Sequence, residues 1–234
     1  MRDHITCRDS YDKLRDGVAL CIIWHVKNSP GHLLEGTQFR GSCWAFSVVA
    51  AVEGIVGITN GTLPVLSEQQ LVDCVTTNFG CGGGYLEYAF EYIIQNQGIA
   101  SEDSYPYGAV QGTCDATKAA EHAAQIKGFT HVPSGEDELM KAVAQQPVSV
   151  IIPSSGQEFQ YYSGGVFNGE CGPKLDHAVV VVGYGTSEEG TDFWKIRNSW
   201  GETWGERGYM RIQRGSGSSE GICKVASAAS YPTA

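Results

Sequence analysis

Nowhere do the basic residues of this chain gather into a patch: 16 Lys and Arg stand against 26 Asp and Glu, for a formal net charge of −10. A nucleic acid or an anionic membrane would call for a clustered basic face, so both are excluded as expected partners. Proline and serine form no low-complexity tract, which excludes a disordered chain and leaves a globular one. No internal repeat is visible. The eight cysteines have no tight spacing that would collect four zinc ligands, and no metal or cofactor is expected. The one early apolar run, Val18 to Trp24, is too short to span a bilayer. It follows Asp3, Asp9, Asp12 and Asp16, a poor leader start, so no signal peptide is legible and a mature, truncated or altered start is expected.

The chain is long enough for one large domain or two modest ones, with apolar surface sufficient for a core. Since zinc is disfavoured, the cysteines read as disulfides, and those imply an oxidising compartment. Asn60-Gly61-Thr62 is an acceptor triplet for N-glycosylation, in keeping with a secretory route.

Residues 1–41 show no clear periodicity. From Ser42 the run SCWAFSVVAAVEGI carries apolar residues at helical spacing, with Ser42 as N-cap and Cys43 in the first turn. Ser67 and Gln70 form a capping box, with Leu66 and Leu71 as its staple, which predicts a helix start over Leu66–Asp73. A third helix is predicted from about Tyr85 to Gln97, with Leu86, Ala89, Phe90 and Ile93 on one face and Gly98 as its stop. After a short helix near Glu136 to Gln145 the pattern changes to β-branched runs, PVSVII, HAVVVVGYG, FWKIRNSW and GYMRIQR, with Gly-rich turns between them. A helical half joined to an antiparallel β half gives an α+β class with a cleft between two subdomains.

A thiol becomes a nucleophile near neutral pH only where its pKa is lowered, and a helix N-terminus beside an imidazolium does that. Cys43 meets the first condition from local sequence. Taken alone, it also reads as an inert packed cysteine. On the β half, His177, Val179 and Val181 share one face of a strand, and Trp194, Ile196 and Asn198 share one face of another, so both polar side chains can reach the helix start. A core histidine satisfied by a carbonyl is the alternative.

GSCWAFS (41–47), LDHAVVVVGYG (175–185) and NSWGETWGERGY (198–209) occur in this order, with His177 lying 134 and Asn198 155 residues after Cys43. Papain and cathepsins place His and Asn roughly 130–150 residues after their nucleophile. With LSEQQLVDC and GCGGGY, these segments resemble the papain family of cysteine peptidases, especially plant vacuolar and senescence-associated members, from about Gly41 to Ala234. The resemblance implies a papain-like two-domain α+β fold. Its parts would be an atypical segment 1–36, a helical domain 37–129 with the nucleophile, a β-barrel-like domain 130–230 with His and Asn, and a tail 231–234 returning to the helical domain.

The same resemblance implies that Cys43 attacks the scissile carbonyl, that His177 holds the catalytic proton, that Asn198 orients His177 and that Trp200 shields their hydrogen bond. Gly83 and Gly84 would pair an extended peptide through the backbone. Tyr85, Leu86, Ile151, Leu175 and Ala228 would line the main specificity pocket, with Asp176 beside the histidine, giving a preference for a bulky apolar residue at P2, two places before the cut. It further implies disulfides Cys74–Cys114 and Cys171–Cys223, protein or peptide substrates, cystatin-like inhibitors, a monomer, and a vacuolar, lysosomal or extracellular setting.

Three features depart from the family pattern. Arg40 stands where its first motif cysteine belongs, leaving Cys81 without its usual mate unless Cys7 or Cys21 replaces it. Losing that bridge would cost about 2–4 kcal/mol. The family's oxyanion-hole Gln lies six residues before the nucleophile, where this chain has Thr37; Gln38 is one place later and is the expected donor. Beyond Ile5-Thr6-Cys7-Arg8-Asp9 and Val26-Lys27-Asn28, the first third matches no familiar pattern, and no inhibitory prosegment is visible in it. A truncated or mis-spliced coding sequence is one account of all three. The competing functional readings are an inactive homologue that binds peptides or inhibitors in the same cleft, and a redox-sensing protein that uses Cys81.

Overall fold

A computed structural model describes residues 41–234. The segment 1–36, Thr37, Gln38, Arg40, Cys7 and Cys21 lie outside the described residues.

Helix α1 (Cys43–Asn60) is built from small and β-branched apolar residues, and its Trp44, Ala45, Val48, Val49, Ala51 and Val52 are buried. By length and hydropathy it could cross a membrane, yet 67% of it is buried inside the protein, so here it is the central core helix. Around it pack α2 (Glu68–Cys74) and α3 (Leu86–Gln95), whose stripe of Leu86, Ala89, Phe90 and Ile93 is the buried face that the spacing predicts. The strands β1 (Ile99–Ala100) and β2 (His122–Ala124) make a small hairpin-like pair, with the short α4 (Ala116–Ala119) between them.

Two local signals work differently from expectation. The Ser42 hydroxyl caps nothing; it bonds the Tyr107 hydroxyl at 2.8 Å, a partner 65 residues away that no local pattern reveals. At α2 only half the capping box forms. Ser67 Oγ accepts the Gln70 N–H at 2.9 Å, but the Gln70 side chain turns inward to accept the Ala100 N–H at 2.7 Å and to donate to Tyr92 and Ala119.

The second half follows its β-branched runs. Strands β3 (Gly128–Val132), β4 (Val148–Ile152), β5 (Val166–Phe167), β6 (His177–Thr186), β7 (Asp192–Arg197), β8 (Tyr209–Gln213) and β9 (Ala229–Thr233) form a seven-stranded sheet ordered β3-β9-β4-β6-β7-β8-β5. All its pairings are antiparallel except β5 with β8. The helices α5 (Glu136–Val143) and α6 (Gln157–Gln160) complete this half, with Leu139, Val143 and Phe159 buried in its core. Residues 231–233 continue β9, paired with β3.

Two apolar clusters result, one around α1 and α3 and one under the sheet. Strand β6 is shared between them. Val179 and Val181 face the sheet core, while Ala178, Val180 and Val182 face the helical half, where Ala50 of α1 meets Val180 and Val182. Buried serine bonds lock this seam: Ser47 Oγ donates to the Val179 carbonyl at 2.9 Å, and Ser149 Oγ to the Ser47 carbonyl at 3.0 Å. The N-terminal part of α1, at Ser47, is thereby fixed against Val179 of β6 and Ser149 of β4.

Candidate active site

Cys43 opens α1 and is half-buried. The backbone N–H groups of Cys43 and Trp44 face the thiol sulfur, joined by the N–H of Ala178 from β6. Burial pushes the thiol pKa above its ordinary value, these three N–H groups pull it down, and the Asp176 charge pushes it up. Trp44 is pinned by its indole N–H, which donates to the Gly80 carbonyl at 3.0 Å.

His177, the first residue of β6, is 4% exposed. Its Nε2 lies 2.7 Å from Asn198 Oδ1, just past the end of β7. That oxygen also accepts the Ser199 N–H at 2.8 Å, so the Asn198 amide is oriented with oxygen toward the ring. Nε2 must therefore carry the hydrogen, leaving Nδ1 as the proton acceptor. Burial lowers the His177 pKa, while the Asn198 bond and the Asp176 charge raise it.

Either group, ionised alone, works against its burial. The N–H groups oppose this for the sulfur, and Asn198 with the Asp176 charge opposes it for the ring, while Asp176 works against a thiolate.

Strand parity alone misplaces the approach. Helix α1 packs on the Ala178, Val180 and Val182 face of β6, opposite to the face of His177, Val179 and Val181. His177 is the first residue of β6 and adjoins Ala178, whose N–H faces the Cys43 sulfur.

Trp200 stacks on His177, with ring centroids 4.9 Å apart and 31° between planes. It is held edge-on by Phe159 at 5.5 Å and Trp204 at 5.3 Å, and the Trp204 indole donates to the Gln160 carbonyl at 3.0 Å. Trp200 thus lies over one side of the His177 ring.

The residues named for substrate contact divide. Gly83 has φ +122°, open space where a side chain would project, and so a backbone free to meet an extended chain. Gly84 is packed instead: an added Cβ would lie 2.6 Å from Asn78 and 2.8 Å from Trp44. Tyr85 and Leu175 are 55% and 43% exposed, Ile151 is half-buried, and its N–H donates to the Ala228 carbonyl at 3.0 Å. Leu86 is the exception. At 1% exposure its side chain packs in the helical core, where as the first residue of α3 it carries that helix's apolar stripe.

The structure joins Cys74 to Cys114 and Cys171 to Cys223 and leaves Cys81 with a free thiol, its pKa raised mainly by burial. Two contributors escaped the sequence reading. Ser154 fixes Asp176, its N–H and hydroxyl reaching Oδ1 at 2.8 and 3.1 Å. Arg197, adjoining Asn198, sits 3.6 Å from the buried Glu53 of α1. Neither pairing has a local sequence signal, since each spans a loop or the whole domain seam.

A thiol at a helix head, an imidazole tautomer fixed by an asparagine and an indole stacked on that imidazole are the features of the seam between the two halves. The chain belongs to the papain family: the profile described as papain family cysteine protease matches residues 37–233. It is 56% identical over 220 residues to cysteine endopeptidase RepA of Oryza sativa subsp. japonica, covering 93% of this chain and 58% of that protein. To cysteine protease XCP2 of Arabidopsis thaliana it is 53% identical over 220 residues, covering 93% and 61%. The chain thus spans about three-fifths of the length of these relatives. Among solved structures, bromelain protease from Ananas comosus in complex with the E64 inhibitor matches with TM-score 0.82 and 42% identity, over 94% of this chain and 99% of that one. The proform of the ragweed pollen allergen Amb a 11 matches with TM-score 0.82 and 47% identity, over 94% and 67%.

Proposed function

We propose that this chain is a cysteine endopeptidase that cuts peptide bonds through an acyl-enzyme. The observation that carries the reading is the fixed tautomer of His177, which leaves Nδ1 as a base on the residue adjoining Ala178, whose backbone N–H faces the Cys43 thiol. The thiol proton passes to Nδ1, and sulfur attacks the scissile carbonyl. The Cys43 N–H, with Gln38 as the second donor, stabilises the oxyanion. His177 then protonates the leaving amine, and afterwards takes a proton from the water that releases the acyl group.

Gly83 would hold the substrate in extended form, and Tyr85, Ile151, Leu175 and Ala228 offer apolar surface to a bulky P2 residue. The two disulfides support an oxidising vacuolar, lysosomal or extracellular compartment. Cystatin-like inhibitors fit as protein partners of the same cleft, and the working unit is a monomer.

Labelling with E64, the inhibitor in the bromelain structure, tests the assignment. Cys43 is modified in the parent and spared in His177→Ala, and a fluorogenic dipeptide with a bulky apolar P2 residue is turned over by the parent but not by Cys43→Ala. Labelling without turnover would point instead to the inactive, peptide-binding homologue.

A further inference from the structure

The far end of α1 carries a feature that peptide hydrolysis does not use. Asn60 is the last residue of the helix, and Asn60, Gly61 and Thr62 are all exposed. Gly61 takes the left-handed cap position at φ +74°, and nothing lies within 4 Å of where a side chain would project from it, so the turn opens into solvent. The Asn-Gly-Thr order, with no proline between, is the acceptor pattern for N-linked sugars. The 18-residue helix runs from Cys43 to this turn, seventeen residue steps. At 1.5 Å per residue that is about 26 Å, so a large substituent at Asn60 stands clear of the cleft.

The same turn exposes apolar side chains. Ile58 is 47% and Val65 41% exposed. The chain after the triplet folds back along the helix: the Leu66 N–H donates to Glu53 Oε1 at 3.0 Å, and Leu63 packs on Gly57. Ile58 and Val65 therefore flank the acceptor turn, one before it and one after it.

We propose that Asn60 is an N-glycosylation site and that its oligosaccharide covers the apolar surface of Ile58 and Val65. The inference rests on the oxidising-compartment reading above. Chemically, Asn60 Nδ2 forms a bond to the anomeric carbon of an oligosaccharide donated from a lipid pyrophosphate. The sugar–phosphate bond breaks with its electron pair leaving on the lipid pyrophosphate, and the amide gives up one proton. No redox partner is needed.

The test places the chain behind a secretory leader in cultured mammalian cells and follows the disulfide-bonded product by peptide mapping before and after treatment with an amide-cleaving glycosidase. The expected result is one discrete drop in mass, with Asn60 converted to Asp. Asn60→Gln and Thr62→Ala lose the step and Thr62→Ser retains it, while kcat/KM is unchanged in all three. Unmodified Asn60 on the chain recovered from the secretory route overturns the site. A modified Asn60 whose removal leaves binding of an apolar dye unchanged overturns the covering role. Because the leader imposes the route, these outcomes are independent of where the native protein resides, which imaging of the native protein decides.

Discussion

Asn198 Oδ1 accepts two hydrogens, one from His177 Nε2 at 2.7 Å and one from the Ser199 backbone at 2.8 Å, and this double acceptance fixes the histidine tautomer. Asn198→Ala removes the acceptor but leaves the strand and the Trp200 stack in place. The expected outcome is a fall in kcat/KM of about 10- to 100-fold, typical for loss of a group that orients a reacting imidazole, with KM little changed. Steady-state kinetics on a fluorogenic dipeptide checks it; an equal rise in KM would mean that the cleft itself had shifted.

Gly84 separates space from strain. Its missing side chain leaves room for Asn78 and Trp44, which an added Cβ would approach to 2.6 and 2.8 Å. Asn78 in turn holds Tyr85 through both backbone groups, at 2.8 and 3.1 Å. Gly84→Ala should therefore disturb the Trp44 anchor beside the nucleophile, slow E64 labelling and cost about 1–3 kcal/mol of stability by overpacking. Denaturant titration alongside inactivation rates measures both effects.

What the sequence makes legible follows from what is local. The stripe Leu86, Ala89, Phe90 and Ile93 repeats at helical spacing, and it is the buried face of α3. The β-branched runs become β4, β6, β7 and β8 for the same reason. What stays hidden depends on distant partners. The Ser42 hydroxyl is captured by Tyr107, 65 residues away, instead of capping the helix head. Gln70 abandons its capping box because a buried amide finds Ala100 and Tyr92. Parity correctly puts His177 with Val179 and Val181, yet only the tertiary arrangement reveals that α1 covers the other face.

Ser47 ties the two halves at the seam beneath the site, donating to Val179 at 2.9 Å while its own carbonyl accepts from Ser149 at 3.0 Å. Ser47→Ala removes one buried hydrogen bond and no apolar volume. A loss of about 0.5–1.5 kcal/mol is expected, read as a lower denaturant midpoint with unchanged slope. A double-mutant cycle with Ser149→Ala should give a nonzero coupling, since both hydroxyls brace the same stretch of α1.

Glu68 offers a pH test of opposite sign to ordinary acid denaturation. Burial raises its pKa well above the usual value, and the charges of Glu53 and Glu102 raise it further, against weaker opposition from its own backbone N–H and the Arg197 charge. The folded state therefore holds this proton where the unfolded chain has lost it. Its contribution is present in full below the unfolded pKa of about 4.5 and disappears as pH rises through the higher folded value. Glu68→Gln, which cannot ionise, should match the parent in Tm near pH 4 and exceed it increasingly toward neutral pH. Thermal melts across that range decide the point; a constant Tm difference would mean that Glu68 titrates alike in both states and that the carboxylate cluster under α2 carries no strain.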